Sequence, residues 1–294
     1  MKFGTVAIIG RSNVGKSTLL NRLLGEKVAI VSSKPQTTRT RILGVVHAPG
    51  AQIAFLDTPG LHKPDHLLNR RMVRTTVEAL DDADLLYVLM ECLHMPGPGD
   101  LAVITHVKTA IAKHPRPVML VVTKVDAINK IKMLPVLEAY GRLFPWTEVV
   151  PVSAETGDNI DRLLEVTVSH LPEGEGVYNE DMLTDQSMRT LAAELIREKI
   201  LAATEQEVPY SVAVEIEEFV EESKITRIRA TILVERETQK GIVIGKHGER
   251  LKLISTQARQ DMERVFDMKV FLEVWVKVRE DWREDERTLV ELGY

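Results

Sequence analysis

The chain has 294 residues, 44% of them hydrophobic, and a formal net charge of −5 at pH 7; that length holds two domains with separate cores, and the charge argues against indiscriminate binding to polyanions. Its single cysteine, Cys92, excludes an internal disulfide and a cysteine-only zinc site. No apolar run approaches the length of a membrane span and no charged-then-apolar leader precedes the first motif, so a cytoplasmic protein is expected.

The first element is an apolar run over 5–9, read as a strand. It passes through Gly10-Arg11-Ser12-Asn13-Val14-Gly15-Lys16-Ser17 into a helical pattern that opens with Thr18. Strand, glycine loop and helix in this order make a phosphate cradle. Gly10 and Gly15 let the backbone fold closely around a polyphosphate with its N–H groups inward, and the helix adds its positive dipole end. Lys16 reaches the β- and γ-phosphates, and Ser17 offers a hydroxyl to Mg2+. A polar loop, Ser33-Lys34-Pro35-Gln36-Thr37-Thr38-Arg39, follows.

A strand over 52–56 ends in Asp57-Thr58-Pro59-Gly60. In doubly wound sheets the carboxyl ends of strands face the ligand, so Asp57 shares a site with the phosphate loop and supplies the second anchor for Mg2+. Gly60 has no side chain to keep its amide from a γ-phosphate, so the segment beyond it can respond to that phosphate. Leu61, an apolar residue with no hydrogen-bonding side chain, stands next. Cys92 follows a strand over 85–90 and reads as a half-buried thiol. His62, His66, His94, His106 and His114 are scattered without ligand spacing, which points to surface or structural roles rather than a metal site.

A further apolar strand, 118–122, ends in Thr123-Lys124-Val125-Asp126. A carboxylate at Asp126 can accept from both N1–H and the exocyclic amine of guanine, whereas adenine presents no such pair. Sites built on such bonds reject an analogue by roughly 10⁴-fold, which favours GTP and GDP over adenine nucleotides. Lys124 lays its alkyl stem along the purine face. Ser153-Ala154-Glu155, after a strand over 149–152, closes the base pocket through backbone amides.

In this order, each after a strand, these motifs resemble the Ras-like translation-factor class of GTPases over about the first 170 residues, and the loop over 33–39 resembles the first switch of the Era family of bacterial GTPases. The resemblance implies that Thr38, with Thr37 beside it, coordinates Mg2+ when GTP is bound. Lys16, Thr38 and Gly60 then serve hydrolysis. It also implies that Asn13 matches a loop asparagine that binds K+ in related GTPases. Two departures stand out: Ser12 replaces a usual proline, and Thr123 replaces a usual asparagine. A threonine hydroxyl makes only part of the bridge between base and phosphate loop that an amide makes.

The stretch after Leu171-Pro172 is acidic, contains glycine and lacks apolar periodicity; 173–187 is read as a linker between domains over 1–172 and 188–294. The second domain opens with a helical pattern over 188–203. Strands over 211–220 and 225–234 then form an antiparallel hairpin, followed by Gly245-Lys246-His247-Gly248, a helix over 249–266 and a strand over 269–278. The GxxG loop, its Ile-Val-Ile lead-in and the order helix, strand, strand, helix, helix, strand resemble a type II KH domain. Such a loop lets four single-stranded nucleotides pass close to the backbone. Between 240 and 260 the cations Lys240, Lys246, Arg250, Lys252 and Arg259 face one acid, Glu249; Gly245, Lys246, His247, Gly248, Arg250 and Lys252 are the RNA-binding candidates.

The expected fold is therefore α/β: a P-loop GTPase with a doubly wound, mostly parallel sheet, then a smaller α+β KH domain. Together the two halves resemble the Era family along essentially the whole chain. That resemblance implies slow GTP hydrolysis, binding near the 3′ end of 16S ribosomal RNA and help in assembling the 30S subunit. It leaves open peripheral association with the membrane and implies no stable homo-oligomer. An RNA chaperone with a structural nucleotide site and a metabolic kinase are the other readings; Asp126 and the lack of an acceptor-binding insertion disfavour the kinase.

Overall fold

Strands buried on both faces read as unbroken apolar runs, and three of them form the centre of the larger sheet: β1 (Lys2–Gly10), β4 (Leu85–Glu91) and β5 (Val118–Thr123). The computed structural model describes residues 1–61, 64–205 and 208–294, so His62 lies outside the described residues. With β2 (Ile42–Ala48), β3 (Ala51–Asp57) and β6 (Glu148–Pro151), the sheet has the order β2-β3-β1-β4-β5-β6. Only the β2/β3 pair is antiparallel. Alternate side chains feed two cores. Ile8, Tyr87, Leu89 and Val121 pack with Leu19 and Leu20 of α1 (Lys16–Leu24) and Leu163 of α5 (Ile160–His170). Ile9, Val88, Leu120 and Val122 pack with Val103 and Val107 of α3 (Pro98–Lys113) and Tyr140 of α4 (Lys130–Gly141). Parallel pairing brings the ends of β1, β3, β4 and β5 to one edge, with Ile8 opposite Asp57 and Glu91 opposite Thr123.

The chain divides into two compact units. One comprises Met1–Ala29, Thr38–Pro64 and Asn69–Asp185, the other Ile30–Thr37, Asp65–Leu68 and Gln186–Tyr294. The boundary differs from the expected one, because most of the stretch read as a linker belongs to the first unit. Leu183 accepts from the Val45 amide (2.8 Å) and Gly174 donates to Met1 (3.0 Å). The Gln52 amide exchanges hydrogen bonds with the backbone of Tyr178 (2.7 and 3.0 Å), and Tyr178 and Met182 pack on Leu43, Val45, Ala54 and Leu56. The stretch covers the exposed edge of β2, which is how a sheet edge is protected. Bonds of this kind are made by the backbone, so they leave no periodicity in the side chains.

In the second unit, α6 (Met188–Ala203), β7 (Ala213–Glu221), β8 (Ile225–Val234), α8 (Glu237–Ile244), α9 (Glu249–Phe266) and β9 (Lys269–Val278) follow the expected order. β7 and β8 pair antiparallel and β8 and β9 parallel. One core joins Leu195, Ile196, Ile232, Ile254, Ala258 and Met262, with Ile30 among them. The hairpin begins later than its apolar pattern implies: Val208–Ser211 is a short helix, α7, and the strand opens at Ala213. Pro209 has no N–H for a ladder, and its fixed φ suits a first helical turn. After β9 the fully buried Trp282 donates from Nε1 to the Ser211 carbonyl (2.9 Å), closing the unit ahead of α10 (Glu286–Glu291).

Candidate functional site

The phosphate loop leaves β1 at Gly10, where a Cβ would meet the Leu89 carbonyl oxygen at 2.7 Å, and enters α1 through Gly15 at φ +97°. Gly15 caps α1 without a side-chain hydrogen bond, so the first-turn amides keep the polarity that suits an anion. Inside the loop the Lys16 ammonium donates to the Arg11 carbonyl (2.9 Å), with the Gly10 carbonyl at 3.5 Å. Burial pulls its pKa down to about 8, against the raising effect of Asp57. Gly60 lies against the same loop: a Cβ on it would meet Ser12 Oγ at 2.6 Å and the Ser12 amide nitrogen at 2.7 Å. Leu61 is buried in the core beneath the sheet, its amide donating to the Gly10 carbonyl (3.3 Å).

Three oxygen-bearing side chains converge at the end of β3. Ser17 Oγ donates to Asp57 Oδ2 (2.6 Å) and lies 2.8 Å from Thr38 Oγ1, which is 3.5 Å from the same carboxylate oxygen. Asp57 is fully buried, and its Oδ1 has no hydrogen-bond partner among the described residues. Burial raises its pKa to about 6 against the lowering effects of Lys16, Ser17, Thr38 and the Thr58 amide. An orphaned buried carboxylate oxygen beside two hydroxyls is a hard oxygen donor set of the kind Mg2+ takes. Thr38 belongs to this cluster and Thr37 does not: the Thr37 hydroxyl donates to the Lys34 carbonyl (2.7 Å) and its own carbonyl accepts from Arg197.

The base-reading loops lie at the ends of β5 and β6. Thr123 Oγ1 donates to the Val14 carbonyl of the phosphate loop (2.6 Å), with the Met90 carbonyl at 3.4 Å. Lys124 adopts a left-handed conformation (φ 61°), and Asp126 is exposed on the turn that follows. The loop from Ser153 to Glu155 is held by a residue that its sequence does not announce: Arg22 of α1 donates to the carbonyls of Ala154 (2.6 Å) and Glu155. Asn13, at φ 65°, and Val14 complete the loop, with Thr18 in the first turn of α1.

In the second unit the GxxG loop joins α8 to α9. Gly245 and Gly248 have φ +74° and +80°, and a Cβ on Gly245 would meet Arg250 Cβ at 2.7 Å. His247 also has a positive φ, and both it and Lys246 are exposed. The basic patch is narrower than the sequence implies. Arg250 turns to the Ile242 carbonyl, Arg259 pairs with Glu263 (2.8 Å) and Lys240 lies 3.9 Å from Glu237. The neutralising acids stand outside the 240–260 window, one helical turn away. Lys246 and Lys252 are exposed and have no ion-pair partner among the described residues. Exposed Ile242 and Leu253 supply apolar surface on the same two helices.

A family model described as a 50S ribosome-binding GTPase matches residues 5–124, and one described as a KH domain matches residues 207–283. GTPase Era of Syntrophus aciditrophicus is 49% identical over 295 aligned residues, covering 100% of this chain and 95% of its own. GTPase Era of Geobacter metallireducens is also 49% identical, covering 99% and 97%. Among solved structures, Era in complex with MgGDPNP and nucleotides 1506–1542 of 16S ribosomal RNA superposes with a TM-score of 0.95 at 42% identity, covering 100% of this chain and 99% of that one. With both domains in the same order, and with that identity carried from end to end, the chain belongs to the Era family of GTPases.

Proposed function

We propose that this GTPase is a magnesium-dependent switch that binds single-stranded 16S ribosomal RNA near its 3′ end and assists assembly of the 30S subunit. The observation that carries the reading is the convergence of Ser17, Thr38 and the orphaned oxygen of Asp57 beside the Lys16 loop, in a chain that also presents Lys246 and Lys252 around a GxxG loop. The Era structure that superposes on the whole chain holds MgGDPNP and nucleotides 1506–1542 of 16S ribosomal RNA.

In this reading the loop amides and Lys16 hold the β- and γ-phosphates, and Asp126 reads guanine. Ser17, Thr38 and Asp57 hold Mg2+, which supplies positive charge to the phosphate oxygens. Hydrolysis needs no covalent intermediate, because positioning and charge stabilisation carry phosphoryl transfer. Leu61 is packed in the core and offers no group to the attacking water, so unassisted turnover is slow, on the order of 10⁻⁴ to 10⁻² s⁻¹. A K+ ion at Asn13 adds charge that an arginine finger supplies elsewhere; equal GTPase rates in potassium and sodium buffers would exclude it. We assign the protein to the cytoplasm, with peripheral membrane association as a second location.

The test is RNA affinity for an oligonucleotide copying the 3′ end of 16S ribosomal RNA, with the protein in GDP or in a non-hydrolysable GTP analogue. Tighter binding in the GTP state supports the coupled switch. Equal, tight binding moves the reading to an RNA chaperone, and no binding in either state overturns the RNA target.

A further inference from the structure

The base loop and the phosphate loop need to be held to one another, because a guanine nucleotide touches both. In this chain the threonine at 123 spends its single O–H on the Val14 carbonyl, and one hydroxyl has no second proton to give. A different side chain makes the remaining connection. Glu91, the last residue of β4 and 14% exposed at its side chain, places Oε2 at 2.7 Å from the Lys124 ammonium and Oε1 at 3.4 Å from Nη2 of Arg11. One carboxylate thus spans the lysine of the base motif and the second residue of the phosphate loop.

Arg11 is itself held from the other side. Its Nε donates to Asp100 Oδ1 (2.7 Å), and Asp100 is buried in the first turn of α3. The second oxygen of Asp100 accepts from the Gly97 amide (2.8 Å) and from the buried Tyr140 hydroxyl (3.3 Å). The fit around the arginine is close: a Cβ on Gly99 would meet Arg11 Cδ at 2.6 Å. A guanidinium gripped by a buried carboxylate gives Glu91 a rigid partner, because a fork with several donors loses little freedom per bond once it is placed.

We propose that Glu91 is a positioning residue for guanine nucleotide: anchored through Arg11 to Asp100, it holds Lys124 in the pose that covers the purine and keeps the base loop at a set distance from the phosphate loop. The inference rests on the reading of this site as a guanine-nucleotide site. The carboxylate does not touch the nucleotide. It acts through Lys124 and Arg11, and with Thr123 it makes up for the missing asparagine. Positions of this kind govern how long a ligand stays more than how fast it arrives.

The experiment is stopped-flow binding and release of a fluorescent GDP by the full-length chain, its Glu91→Gln and Arg11→Met variants and the double variant, with thermal melting of each in the absence of nucleotide. Glu91→Gln is expected to raise Kd about tenfold, mostly through faster release, with the nucleotide-free melting midpoint within about 2 °C of the parent. Arg11→Met alone is expected to release about threefold faster, and the Glu91→Gln effect is expected to shrink to about threefold in that background, leaving the double variant no worse than Glu91→Gln alone, since the two act as a unit. Release at the parent rate from Glu91→Gln, or an equal effect in both backgrounds, overturns the inference. A loss of affinity matched by a fall in the nucleotide-free melting midpoint also overturns it, because that is what a merely structural role produces. Arg11→Met keeps the inference refutable if Glu91→Gln does not fold, since unchanged release from it is enough to reject the coupling. Failure of the parent chain to bind GDP would instead reject the reading of the site itself.

Discussion

Ser17 donates its hydroxyl proton to Asp57 over 2.6 Å, joining the start of α1 to the end of β3 at a fully buried carboxylate beside the phosphate loop. The bond occupies a single oxygen of Asp57 and leaves the other for a cation. Two consequences for pH follow, and they run in opposite directions. A carboxylate holds a cation only when deprotonated, and burial sets this one at about 6. Magnesium-dependent nucleotide affinity is therefore expected to fall about tenfold for each pH unit below 6. The stability of the unliganded protein responds with the other sign. The folded state takes up the Asp57 proton at a higher pH than the unfolded chain does, so this group makes the fold more stable as pH falls from about 6 toward 4. Titration calorimetry with and without magnesium across this range, beside melting curves of the nucleotide-free protein, checks both slopes; Asp57→Asn is expected to abolish each.

Base selection is expected to rest on Asp126, exposed at the mouth of the site. In Asp126→Asn one acceptor becomes an N–H donor and meets a guanine donor, so GDP affinity should drop by about 10² to 10⁴. A xanthine nucleotide, which carries a carbonyl at that edge, should gain. Competition binding of GDP against XDP reads the exchange directly; equal loss of both nucleotides would mean that the carboxylate supports the loop and does not read the base.

Lys246 and Lys252 are expected to carry the electrostatic part of RNA binding. Replacing either by alanine should weaken binding to a single-stranded oligonucleotide and lower the slope of log K against log salt by about 0.7. Arg250→Ala and Arg259→Ala should leave that slope close to the parent value, because their side chains are engaged with Ile242 and Glu263.

Trp282 is fully buried and ties the segment after β9 to Ser211 at the end of α7. Truncation to alanine is expected to cost about 3 to 5 kcal/mol. Trp282→Phe, which keeps most of the volume and loses the hydrogen bond to Ser211, should cost about 1 kcal/mol from that bond. Denaturant unfolding of the full chain, followed by a probe in the second unit, gives both values.

What the sequence made legible is what a local pattern encodes. Lys16, Ser17, Asp57, Thr123 and Asp126 each stand where an apolar strand ends in a polar cluster, and parallel pairing carries all of those ends to one edge of the sheet. Between the two threonines of the loop over 33–39 the sequence offers no distinction that the backbone enforces; the structure sets the Thr38 hydroxyl 2.8 Å from Ser17 Oγ and turns the Thr37 hydroxyl to the Lys34 carbonyl. Glu91, Asp100 and Arg22 were not legible. Partners of these residues lie 80, 89 and 132 positions away in the chain, and a side-chain bond across such a separation leaves no period or spacing. One cue did exist for Asp100: an acid three residues after Gly97, with Pro98 between them, is a helix-start signal. The excess of cations between 240 and 260 misled for a different reason: the acids that pair with Lys240 and Arg259 are local, three and four positions away, but sit just beyond that window.

The strip over 173–185, bonded along β2, decides where the gene can be cut. A fragment ending at residue 172 would carry the five motifs yet leave the amide of Val45 and the apolar side chains of Leu43 and Val45 open along a bare edge, a template for pairing with another molecule. A fragment ending at Asp185 keeps its own cover. Expressed side by side, the shorter piece should collect in inclusion bodies and the longer one should stay in solution, with only thirteen residues to tell them apart.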